Sequence, residues 1–92
     1  MIKKTIVFNN KIEDILSDKM HEKFDIFFLD PPFSNVDYLQ TLKLIKKKKI
    51  FNLNHIVIIH REKKSDDNYK NLLKIVDTKF YSRSKIIFGE FI

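Results

Sequence analysis

The sequence predicts an α/β fold with a mostly parallel sheet, and three observations point there. Two short segments, Phe24 to Leu29 (FDIFFL) and Ile56 to Ile59 (IVII), are almost wholly apolar, as strands covered on both faces are. Segments with apolar residues at helical spacing alternate with these strands. Two β-rich stretches at the end, Thr78 to Tyr81 and Lys85 to Phe91, flank a short polar turn and read as an antiparallel hairpin. The expected order is β-α-β-α-β-α-β-β.

Each element has a local reason. Ile2 to Phe8 (IKKTIVF) is β-branched and stops at Asn9-Asn10, so it reads as a strand. Lys11 to Met20 spaces Ile12, Ile15, Leu16 and Met20 along one helical face, with Asn10 as N-cap and Glu13 and Asp14 in the first turn. Asp30-Pro31-Pro32 ends the second strand, because proline has no N–H to give a ladder. Asn35 to Lys49 aligns Val36, Leu39, Leu42 and Ile45, and its lysines suit the negative end of the helix dipole. Ser65 or Asp66 caps a third expected helix carrying Tyr69, Leu72, Leu73 and Val76.

Composition narrows the function. The 92 residues form one domain, 1–92, with a net charge of +6 that favours a polyanionic partner. There is no cysteine, which excludes disulfide scaffolds, thiol catalysis and cysteine-type zinc sites. No apolar run approaches the roughly 18–20 residues of a membrane span, and the basic start lacks a signal-peptide core, so a cytoplasmic location away from membranes is expected. The single glycine, Gly89, cannot build a Gly-rich loop that brings backbone against a phosphate or nucleoside.

The chemistry lies in Phe24 to Asn35, FDIFFLDPPFSN. Ligands of open α/β sheets bind beyond the carboxyl ends of the strands, where Asp30 to Phe33 fall. The Asp30 carboxylate and a turn carbonyl, that of Pro31, can both accept hydrogen bonds from one exocyclic amine. Two such acceptors draw the amine away from planarity and aim its lone pair at an electrophile. Pro31 and Pro32 hold φ before substrate arrives, and Phe33 can stack on an extruded base.

Asp30-Pro31-Pro32-Phe33 matches the [DN]-P-P-[YF] signature of amino-group methyltransferases. The chain resembles one branch of them, the 16S rRNA guanine-N2 methyltransferases of the RsmD type. FDIFFLDPPF matches the motif strand, HIVIIHREKK the next strand with its basic exit, and KFYSRSKIIFGEF the closing hairpin. Ser82 stands where that hairpin usually has glycine, and Lys79 stands near its usual arginine.

The resemblance implies a partial Rossmann-like class I methyltransferase fold that lacks the N-terminal half with the cofactor loop. It implies S-adenosylmethionine as cofactor, with Asn10 or Lys11 bordering its adenine, and ribosomal RNA or the small ribosomal subunit as partner. The family's sheet order, 3-2-1-4-5-7-6, would leave Phe24 to Leu29 as an apolar edge. Three outcomes relieve such an edge: Ile2 to Phe8 pairs there, a homodimer mate covers it, or a separate N-terminal half supplies the strands. The chain alone is expected to be catalytically inactive. N6 methylation of adenine and a non-catalytic, basic RNA-binding remnant are the alternatives.

His60 and Arg61 leave a strand on the rim that holds Asp30 and are expected to touch RNA phosphate. Lys43 and Lys46 to Lys49 either meet phosphates or form a solvated helix end. His21 and His55 have no metal-ligand spacing and read as surface residues. Tyr38, Phe51 and Tyr69 read as packing, Asp25 as a satisfied strand-start residue, and Arg83 and Lys85 as solvent-facing.

Overall fold

The computed structural model describes residues 5–8, 23–31 and 38–92. Its elements are β1 (Thr5–Phe8), β2 (Phe24–Leu29), α1 (Tyr38–Lys48), β3 (Phe51–Glu62), β4 (Leu73–Phe80) and β5 (Ser84–Phe91). They make one five-stranded sheet in the order β1-β2-β3-β5-β4. β1–β2 and β2–β3 are parallel, whereas β3–β5 and β4–β5 are antiparallel. The sheet is therefore mixed, which corrects the expectation of a mostly parallel one. The expected helix at Lys11 to Met20 lies outside the described residues.

The apolar edge expected at β2 is closed by the chain itself. Thr5 to Phe8 pairs residue for residue with Ile26 to Leu29. A ladder satisfies the backbone groups that a bare edge would leave open.

Inward-facing residues follow the strand period of two. In β3, His55, Val57, Ile59 and Arg61 are buried, and in β5 so are Ile87, Gly89 and Phe91. α1 lays Leu42 and Ile45, both fully buried, on this face. Burying each contributes about 1.5–3 kcal/mol. The helix ends at Lys49, whose φ of 53° is left-handed, and the Lys49 N–H donates to the Ile45 carbonyl at 2.9 Å.

The third helix does not form. Residues 63–72 run as a turn, an irregular stretch over 65–69 and a second turn, and Leu73 opens β4 opposite Phe91. Asn71 has a φ of 61°, which breaks any helix there. The N–H groups of Leu72 and Leu73 both donate to the Tyr69 carbonyl at 3.0 Å, a tight turn into the strand. Ser65 does not cap, because its hydroxyl donates to the Glu62 carbonyl. The free side of β5 offers a whole ladder to this segment, and that non-local pairing outweighs the local periodicity of Leu72, Leu73 and Val76.

β3 also bulges. Its five steps from Phe51 to Ile56 face the two from Phe24 to Ile26. Asn52 Nδ2 donates to Asp25 Oδ1 at 2.9 Å across this irregularity. His55, expected at the surface, is buried instead. The Phe91 N–H donates to His55 Nε2 at 2.9 Å, so Nε2 is unprotonated and the Nδ1–H donates to the Asn52 carbonyl at 2.8 Å. The ring stacks on Phe91 and lies 4.7 Å from Phe51, centroid to centroid. Both ring nitrogens are thus used by backbone, which explains a histidine in an aromatic core.

Candidate active site

Asp30 follows the last residue of β2, at the carboxyl ends of the parallel strands. Its side chain is 50% exposed, while Pro31 behind it is buried. His60 stands near the end of β3 on the same rim, and its Nδ1 lies 3.0 Å from Asp30 Oδ1. Residues thirty apart in sequence meet here because β2 and β3 run parallel in register. Pro32, Phe33, Asn10 and Lys11 lie outside the described residues.

Arg61 is not on the rim. Alternation along β3 turns it inward, where it is 1% exposed. That corrects the expectation that it touches RNA phosphate, since its guanidinium is committed inside the protein. Arg61 Nε donates to Asp67 Oδ2 at 2.8 Å, and the guanidinium carbon lies 4.8 Å from the centre of the Tyr38 ring. Tyr38 O–H donates to the same Asp67 oxygen at 2.6 Å. Its one proton being spent, Tyr38 accepts from the Tyr69 hydroxyl. This cluster joins the start of α1, the end of β3 and the loop beyond. Sequence reasoning took Tyr38 and Tyr69 for packing alone and missed Asp67, which sits in a polar loop without periodicity.

Burial pushes the Tyr69 hydroxyl up to about 12, with the Asp67 charge acting the same way. Burial first, and then the hydrogen bond to Asp67, push Tyr38 further in that direction. Arg83 is exposed as expected, near Lys63 and Lys64 around a hollow at the same end of the sheet. Lys85 is partly buried, its ammonium donating to the Ser65 carbonyl at 2.6 Å.

The one glycine lies inside β5, where a Cβ would come within 3.2 Å of the Lys74 carbonyl oxygen. It serves a close approach between strands. Among the described residues no group of acidic or histidine side chains is placed to hold a metal, and no helix is long and apolar enough to cross a membrane.

The chain thus presents a mixed α/β sheet with an acidic residue at the carboxyl end of a parallel strand. The family described as Conserved hypothetical protein 95 matches residues 2–90, and the chain belongs to it. It is 23% identical over 82 residues to the uncharacterized methylase RP545 of Rickettsia prowazekii, covering 89% of this chain and 35% of that protein. A conserved hypothetical protein of Streptococcus pyogenes superposes with a TM-score of 0.68 at 25% identity, over 78% of this chain and 46% of that one. The candidate methylase HI0767 of Haemophilus influenzae also gives 0.68, at 18% identity, over 90% of this chain and 48% of that one. The chain thus spans less than half the length of these relatives.

Two expectations follow from the buried cluster. Asp67→Ala strands the Arg61 guanidinium without its carboxylate and should cost about 3 kcal/mol in urea unfolding; a loss under 1 kcal/mol would contradict this account. The tyrosines give an alkaline limit. With folded values above the unfolded value of about 10, stability is full below pH 10 and lost as pH rises towards 12. Urea midpoints should therefore fall across that window, and less steeply in Tyr69→Phe.

Proposed function

We propose that this chain is the amine-presenting part of an S-adenosylmethionine-dependent RNA methyltransferase, acting on the exocyclic N2 of a guanine in 16S ribosomal RNA. The observation that carries the reading is Asp30, a half-exposed carboxylate held at the carboxyl end of β2 beside His60, in a chain of this family. Asp30 accepts a hydrogen bond from one amine hydrogen and the Pro31 carbonyl accepts the other. Pro32 stiffens the turn and Phe33 stacks on the base. His60 holds the Asp30 carboxylate towards the substrate side and lies where the neighbouring phosphate passes. Arg61 positions this strand end from within.

The cofactor, which would supply the methyl group, is held by residues other than the described ones. The relatives' greater length supports that division. The family resemblance sets two further strands between the positions of β1 and β2, whereas here β1 lies directly on β2. A complementing half therefore has to displace four residues of ladder. The setting is cytoplasmic, where ribosomal RNA is found.

Two measurements test the proposal. A hairpin RNA with an unpaired guanosine should bind the chain on the order of tenfold tighter than the same hairpin with inosine, which lacks the N2 amine. Asp30→Ala should erase the difference while leaving stability within about 0.5 kcal/mol, because the side chain is half exposed. Equal binding of both hairpins by the wild type would sink the guanine-N2 reading, and a preference for adenosine over purine riboside would move it to N6. Calorimetric titration of S-adenosylmethionine into the folded 92-residue chain should show no saturable binding at micromolar concentration. Saturable binding would overturn the division of labour.

A further inference from the structure

Two segments distant in sequence close a basic cleft of about 410 Å³ at the far end of the sheet from Asp30. α1 and the residue after it contribute Lys43, Lys46, Lys47 and Lys49, and the crossing from β3 to β4 contributes Lys70 beside Asn71 and Leu72. Among the described residues no acidic side chain lines it.

The lysines do not all serve the fold. Lys46 does, since its ammonium donates to the Asn71 carbonyl at 2.6 Å and clips the crossing to the helix. The end of a helix carries about half a negative charge, which one or two cations offset. Lys43, Lys47, Lys49 and Lys70 are exposed beyond that need, and Lys70 belongs to no helix. Like charges gathered in a concave site repel unless a counter-charge enters, so the cleft suits an anion.

We propose that this cleft is a second contact for the RNA backbone, separate from the rim that presents Asp30. The inference rests on the RNA reading above. Ammonium groups meet phosphates as point charges without demanding one geometry, which fits a backbone held for position and not for sequence. Among the described residues no aromatic side chain lines the cleft to enter a bilayer, which argues against an anionic membrane as occupant. From Phe51 to His60 the strand spans roughly 30 Å at about 3.3 Å per residue. An RNA that reaches both ends has phosphates well away from the target base.

The guanosine hairpin, lengthened by a duplex stem and labelled for fluorescence anisotropy, tests this between about 50 and 200 mM salt. Lys47→Glu with Lys70→Glu should weaken binding at least tenfold. Lys47→Gln with Lys70→Gln, which adds no repulsion, should make the slope of log K against log salt shallower by about 1.4–1.8, the value of two lost phosphate contacts. Both variants should keep the guanosine-over-inosine preference, because the rim is untouched, and circular dichroism should show them folded. An unchanged slope in variants that keep the preference overturns the cleft and leaves the RNA reading standing. A wild type that binds neither hairpin removes the RNA reading and this inference with it. Displacement of RNA by millimolar inorganic phosphate at constant ionic strength, or lysine-dependent binding to phosphatidylserine vesicles without RNA binding, assigns the cleft to another occupant and overturns the inference.

Discussion

The buried pair of Arg61 and Asp67 governs how this small sheet is finished. A guanidinium that is 1% exposed is tolerable only with a carboxylate beside it, and Asp67 is that carboxylate. The pair, with Tyr38 and Tyr69 around it, anchors a crossing that has no helix to bury. The crossing then runs down α1 to Asn71, where Lys46 holds it and β4 begins. One ion pair thus places the end of β3, the start of α1 and, by way of the loop, β4. It also frees the outward-facing neighbour, His60, to meet Asp30.

That arrangement separates the two ends of the sheet by chemistry. At the carboxyl ends of β2 and β3 stand a carboxylate and an imidazole in contact. At the other end, an aromatic core around His55 closes the interior, and lysines from α1 and the crossing crowd the surface. The same inward-outward period of β3 produces both results. It buries His55 and Arg61 with Val57 and Ile59, and it leaves His60 at the rim.

Much of the fold was legible because local rules were enough. FDIFFL and IVII announced strands, although each buries only alternate residues and not both faces; Leu42 and Ile45 announced the buried face of α1, and the Asp-Pro step marked where β2 must stop. His60 could be put on the rim of Asp30 from strand ends alone. The helix expected after Ser65 failed because periodicity cannot register an open ladder on β5. His55 and Arg61 were misplaced for a related reason. Each is polar, and only partners from distant segments, Phe91 for one and Asp67 for the other, make burial affordable.

The sequence by itself determined the chemistry on offer: an acidic residue and two prolines closing an apolar strand, a surplus of lysine, and a single glycine, which cannot make a Gly-rich loop. Those are properties of residue type and spacing, which need no third dimension. Tertiary structure alone decided that β1 closes the edge of β2, that the sheet is mixed, and that Lys70 joins the lysines of α1. Each of these depends on groups far apart in the chain, the strand ladders for the first two and the Lys46–Asn71 hydrogen bond for the third, which no local preference registers.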